Sequence, residues 1–277
     1  IFMTYMTRMG NRDMTGDMAQ AQLPVVHAEQ DGVLYNEMHG YVEDMDGASM
    51  RDSVIGVSED HKVGLALEKY NAQIKSVSYE VRSLDMSRLI EGGDDLQAED
   101  DGKYLHISLT LKDLLTQGEE YLLVLKVQTE DQDLVRFYSI LTYLGTNHVQ
   151  DCVDFAQRFH EMTLTGDSDG VLNYLEQDGS MDGKNLGYIN IHSRSGPVTW
   201  GDMQVVETGE TSLRFTELES DITALTMEYQ VTNTEINEQY QVREAYRLRY
   251  TSTRIYLLAY ERWTDKILEP GRQLVED

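Results

Sequence analysis

The residues best suited to chemistry in this chain are arginines and tyrosines near its C-terminal end. Across residues 240–250, Tyr240, Val242, Tyr246, Leu248 and Tyr250 alternate with Arg243, Arg247 and Arg249, and the next apolar stretch carries Arg254, Tyr256 and Arg262. A strand sends successive side chains to opposite faces, so the spacing predicts these arginines on one face. Arginine forks grip carboxylates in paired hydrogen bonds, and guanidiniums lie over aromatic rings. The chemistry predicted for Arg243, Arg247, Arg249, Arg254 and Tyr256 is therefore recognition of an anionic or saccharide ligand. A structural alternative stands beside it: the chain holds 49 acidic residues, and cross-strand pairing with Glu228 and its neighbours would neutralise the same strip. Five of the fifteen arginines fall between positions 243 and 262, which is clustering in a chain of formal charge -26.

Other motifs carry less. Gly166, Asp167, Ser168, Asp169 and Gly170 match the Gly-x-Ser-x-Gly pattern of serine hydrolases, which needs a strand before the serine and a helix after it. Apolar residues at helical spacing precede this segment, so Ser168 or Asp169 is expected to cap a helix. The same aspartates begin a calcium-loop pattern, but position twelve is Asp178 where a glutamate is required. The run from Gly179 to Asn185 departs from a phosphate loop in glycine spacing and ends on Asn185 in place of Ser or Thr. None of the seven histidines lies three or four residues from another, and Cys152 is the single cysteine, which excludes a disulfide framework and a cysteine-based zinc site. No cofactor and no metal are expected. Trp200 and Trp263 are expected to pack in the interior.

The elements that must position the arginines are mostly strands. Seventeen tyrosines stand against five phenylalanines, and Val, Ile and Thr alternate with polar neighbours over most of the length. Leu105, Ile107, Leu109 and Leu111 alternate; Gly118 marks a turn; residues 121–129 and 135–143 follow, separated by an acidic turn at 130–133. Three antiparallel strands are predicted here. From Asn147 the period changes: Val149, Cys152, Val153, Ala156 and Phe159 fall at helical spacing, with Thr146 or Asn147 to cap the start and Gly166 to close the end. A second short helix is expected through Val171, Leu172 and Leu175. Strands return at 187–193, 199–207, 224–232, 240–250 and 254–262, the last two joined at Thr251, Ser252 and Thr253. In 224–232, Leu225, Met227, Tyr229 and Val231 share one face. The acidic stretch 94–101 reads as a loop.

Leu115, Gly118 and Tyr121, placed before an alternating strand, resemble the corresponding corner of fibronectin type III and immunoglobulin-like sandwiches. The resemblance implies a sandwich in which the tyrosine hydroxyl fastens the corner to nearby backbone. Three further stretches, 36–52, 79–85 and 246–262, resemble membrane-anchored extracytoplasmic proteins of anaerobic Gram-positive bacteria with no assigned activity.

The fold expected is mainly β: an N-terminal immunoglobulin-like sandwich (19–146) and a C-terminal antiparallel sheet (185–277), separated by a helical segment (147–184). Residues 1–18 are expected to be a membrane-proximal stump or a flexible N-terminus, because Ile1, Phe2, Met3, Thr4, Tyr5 and Met6 read as the outer end of a lost anchor. Six residues cannot span a bilayer, which takes about 20. The strongly acidic surface argues against nucleic acid as a partner. The function expected is a non-enzymatic extracytoplasmic domain that binds a cell-envelope component or a protein partner. The alternatives are an envelope glycan hydrolase with paired carboxylates and a sensory accessory module of a membrane kinase.

Overall fold

The computed structural model describes residues 23–267, apart from 51–52, 71, 95, 131–133, 147 and 180–185. The proposed anchor at residues 1–6 lies outside them, as does most of the acidic turn at 130–133. Among the described residues no helix is long and apolar enough to cross a membrane.

The N-terminal half contains β1 (Val25–Gln30), β2 (Val33–His39), β3 (Val54–Ser58), β4 (Lys62–Glu68), β5 (Ile74–Ser83), β6 (Leu89–Gly93), β7 (Gln97–Asp100), β8 (Tyr104–Thr110), β9 (Glu120–Thr129) and β10 (Leu134–Gly145). They form two five-stranded sheets, ordered β2-β1-β4-β8-β7 and β3-β10-β9-β5-β6. Residues from both, including Val26, Leu65 and Ile107 on one side and Val81, Leu125 and Phe137 on the other, share one apolar core. This is the expected sandwich. The tyrosine corner is present: Tyr121 is buried, its hydroxyl accepts from the Thr116 N–H at 2.8 Å and donates to Glu119 at 3.2 Å.

One pairing differs from expectation. β9 and β10 form an antiparallel hairpin, but β8 lies in the opposite sheet, between β4 and β7. The connection after β8 crosses the sandwich, and Leu111 and Leu115 are buried along it. β9 is buried at nearly every position, because Leu122 and Val124 on its outer face are covered by Met45, Met50 and Met86. The acidic stretch 94–101, expected as a loop, contains β7, an exposed edge strand whose Glu99 and Asp100 guard it against further pairing.

The C-terminal half contains α1 (Val149–Thr165), α2 (Ser168–Leu172), β11 (Tyr188–Asn190), α3 (Ser195–Val198), β12 (Val205–Leu218), β13 (Ile222–Asn233), β14 (Glu238–Tyr250) and β15 (Ile255–Lys266). Gly166 closes α1 in the left-handed conformation at φ 76°, which glycine adopts without strain. The N-cap position falls on His148, not on Thr146 or Asn147, and α2 is capped by Asp167 through the Gly170 N–H rather than by Ser168 or Asp169. The five strands form one antiparallel sheet, ordered β11-β15-β14-β13-β12. Residues 199–204 are not strand. They follow α3 as a turn that buries Trp200.

α1 covers one face of this sheet, where Phe159 meets the rings of Tyr246 and Tyr260. The sheet is also tied to the sandwich. Tyr35 packs edge-on against Phe215, and the buried Asn36 donates to the Val54 carbonyl and accepts from the Phe215 N–H, both at 2.6 Å.

Candidate functional site

The C-terminal sheet has a covered face and an open one, and each carries charge. On the covered face Val242, Glu244, Tyr246 and Leu248 of β14 alternate inward, all fully or almost fully buried. A carboxylate in such a place is tolerable only when hydrogen bonds and an opposite charge replace water. Glu244 has both. It accepts from the hydroxyls of Tyr246 at 2.6 Å and Tyr260 at 2.8 Å, and it meets Nδ1 of His160, from α1, at 3.1 Å. The other ring nitrogen of His160 reaches Glu207 of β12 at 3.3 Å.

Burial acts against the charge on Glu244, but its bonds to His160 and to the tyrosine outweigh that and hold its pKa below the usual carboxylate range. For His160 burial likewise opposes the charged form, and the two carboxylates overcome it and raise the pKa. Both shifts favour the ionised pair. Arg262 lies opposite Glu244 in register, donates to the carbonyls of Val198 at 2.7 Å and Pro197 at 2.9 Å, and has its guanidinium 3.9 Å from the Trp200 ring centroid. This network fastens α1, the α3 turn and three strands together.

Arg262 is thus a correction to the sequence reading, which placed it with the other arginines. The register between β14 and β15 shifts at Leu258, between the pairs Arg247↔Ala259 and Leu248↔Leu257. One extra residue flips every side chain beyond it. Arg254 and Tyr256 lie before the shift and face outward; Arg262 lies after it and faces the core.

The open face holds the remaining residues. Arg243 sits opposite Glu228 on one side and Trp263 on the other; its guanidinium lies 4.4 Å from the Trp263 ring centroid, and Tyr188 packs on the far side of that ring at 5.7 Å. The expected Arg243–Glu228 pair is not formed. Arg247 is different: it makes two hydrogen bonds of 3.0 Å to Glu217, which lower the carboxylate's pKa and raise its own. Arg249 is opposite Tyr256 in register, and Arg254 lies 3.9 Å over the Tyr256 ring, which is 38% exposed. Arg214, absent from the sequence reading, joins this face from β12 opposite Thr226. Arg214, Arg243, Arg249 and Arg254 form no ion pair with a described carboxylate.

At the end of the sheet where Arg254 and Tyr256 stand, a groove of about 550 Å³ runs between the start of β15 and the segment after α2. Phe155, Tyr174 and Leu257 give it apolar surface; Arg158, Glu176 and Arg254 are charged and exposed on its lining. Two of the predicted residues thus face a concave site, and Arg243, Arg247 and Arg249 line the flat sheet beside it.

The weaker motifs resolve simply. Ser168 follows a helix, and its hydroxyl bonds that of Thr199 at 3.0 Å. Among the described residues no group of three His, Cys, Asp or Glu side chains is arranged to hold a metal ion. Cys152 is buried, and burial pushes its thiol up to about 11. Trp200 is buried as expected, whereas Trp263 is only partly covered.

No protein-family profile and no curated protein matches the chain. Among solved structures it is similar to CopC from Methylosinus trichosporium OB3b, with 17% identity over 34% of this chain and 83% of that one, at a TM-score of 0.24. At that identity and score the likeness says nothing of what this chain binds.

Proposed function

We propose that the chain is a non-enzymatic binding module whose open C-terminal sheet face recognises an anionic component of the cell envelope. The observation that carries the reading is that Arg243, Arg249 and Arg254 share one sheet face with no carboxylate partner among the described residues, in a chain of charge -26. Two of them lie over the rings of Trp263 and Tyr256, 4.4 and 3.9 Å from the centroids. Stacking orders a guanidinium while leaving its N–H donors at the edge open to an incoming carboxylate or phosphate. A ring beside each cation also suits a sugar plane. An extracytoplasmic placement is part of this proposal. A hydrolase reading of this site would need two carboxylates facing the cleft; among the described residues the groove beside these arginines is lined by one, Glu176.

Titration with acidic cell-wall fragments tests this. Saturable binding that weakens with added salt and falls about tenfold or more in an Arg243→Ala, Arg249→Ala double variant is expected. Equal binding by variant and parent removes the proposal.

A further inference from the structure

We propose that the groove beside the first residues of β15 is a docking site for a short, extended, acidic segment of a partner protein, added to the C-terminal sheet as a strand in line with β11. The starting observation is an unfinished edge. β11 pairs with β15 only from Tyr188↔Trp263 to Asn190↔Glu261. There the chain turns away, with the Ser193 N–H bonded to the Asn190 carbonyl, and enters α3. Residues 255–260 are left with β14 on one side and, among the described residues, no strand on the other.

Exposed edges are normally blunted by charge or proline. β7 of the sandwich follows that rule with Glu99 and Asp100. Residues 255–260 do not: Ile255, Tyr256, Leu257, Leu258, Ala259 and Tyr260 carry neither a charge nor a proline. The shift at Leu258 interrupts the edge, so the added strand is short. β11 shows what suffices, since it holds its own place with three residues.

The groove says what kind of strand fits. Residues 255–257 of this edge line one part of it, and residues 173–176 another. Alternate side chains of an incoming strand point to opposite faces. The set facing α1 would meet Phe155, Tyr174, Leu257 and, at the rim, Arg158; the set facing the open side would meet Arg254. Neither guanidinium is paired with a described carboxylate, so a strand with an acidic residue on each of its two faces is the complement. Recognition of this kind takes affinity from main-chain hydrogen bonds and specificity from the alternate side chains. The site shares Arg254 and Tyr256 with the open face but depends on Arg158 and on backbone that the open face does not use.

Fluorescence anisotropy with the whole chain and labelled peptides tests it. A short Glu and Val peptide with two adjacent Glu residues, one for each face, is expected to bind saturably, and its Lys and Val counterpart not at all. Arg158→Glu, an exposed change on α1, is expected to weaken binding about tenfold or more. Methylating alternate peptide nitrogens, which removes the pairing N–H groups, is expected to cost a similar factor. Arg243→Ala is expected to leave peptide binding unchanged, while still entering the variant that weakens binding of cell-wall fragments on the open face, so the two readings fail separately. Full affinity of the Arg158→Glu variant, full affinity of the methylated peptide, or no binding of the Glu and Val peptide overturns the proposal. So does concentration-dependent dimerisation in sedimentation that Arg158→Glu abolishes, which would make the occupant a second copy of this chain.

Discussion

β14 presents charge to both sides of one sheet, and the two sides treat it differently. Facing α1, the buried Glu244 is met by two tyrosine hydroxyls and a histidine. Facing outward, Arg243 and Arg249 of the same strand form no ion pair with a described carboxylate, although acids are more than twice as common in the chain as bases. A buried charge must be answered by its neighbours or the fold is lost. An exposed one is answered by water, and its lack of a partner costs nothing. Elaborate pairing on the covered face therefore marks architecture, and the bare cations on the open face mark the surface available to a ligand.

The sharpest way to break this comparison is to remove Glu244. Glu244→Ala leaves His160 charged and two buried hydroxyls without an acceptor, and a loss of roughly 3–5 kcal/mol is expected, the range for breaking a buried pair from one side. Urea unfolding followed by tyrosine fluorescence measures it. Arg243→Ala or Arg249→Ala, a few ångströms away through the sheet, is expected to fall within about 0.5 kcal/mol of the parent. Comparable losses for both classes would mean that the open face is structural too.

A second, smaller effect follows from protonation. The folded-state pKa of His160 is raised, burial opposing and Glu244 and Glu207 prevailing. Its contribution is fully present below the unfolded value of about 6.5 and is lost as pH rises through the folded value. Glu244 is lowered, burial again opposing and His160 prevailing. Its contribution is present above its unfolded value of about 4.3 and is lost as pH falls through the folded one. Stability is expected to form a plateau between these limits. In His160→Gln, where the amide still donates to Glu244 but does not titrate, the alkaline decline should flatten. A variant that keeps the parent's alkaline slope would place the titrating group elsewhere.

The two faces also differ in how far they could be read from sequence. Period two in residues 224–232 and 240–250 assigned Leu225, Met227, Tyr229 and Val231 to the core and Arg243, Arg247 and Arg249 to the outside, and the structure agrees. Glycine at 166 and the Leu115, Gly118 and Tyr121 corner were legible for a similar reason: each meets a local geometric demand. Glu244, His160 and Arg262 were not. A charged residue at an inward position reads as an ordinary polar residue until its partners from α1 and β15 are beside it. The shift at Leu258 left no mark in the apolar run around it, so the parity of Arg262 came out reversed. β12 was read only as far as Glu207 and missed from Thr208 to Leu218; Gly209, Glu210 and Thr211 fall in an irregular stretch of pairing that breaks the alternation there. The groove depends on where the segment after α2 lies against β15, which no local pattern encodes.

The smallest expected effect sharpens the comparison most finely, because it concerns the one outward arginine that is paired. Arg247 and Glu217 have the geometry of a strong pair, two 3.0 Å bonds, but their side chains remain 48% and 32% exposed. Water competes for both groups, and holding two long side chains in one geometry costs entropy. A double-mutant cycle of Arg247→Ala and Glu217→Ala is expected to return a coupling of about 0–1 kcal/mol, falling further at high salt as the pair is screened. The parallel cycle of His160→Gln and Glu244→Gln should give a coupling that salt barely changes, since no ions reach that site. If the Arg247–Glu217 coupling instead exceeded about 2 kcal/mol and resisted salt, the open face would behave as a desolvated surface. Its bare arginines would then need a structural explanation before a functional one.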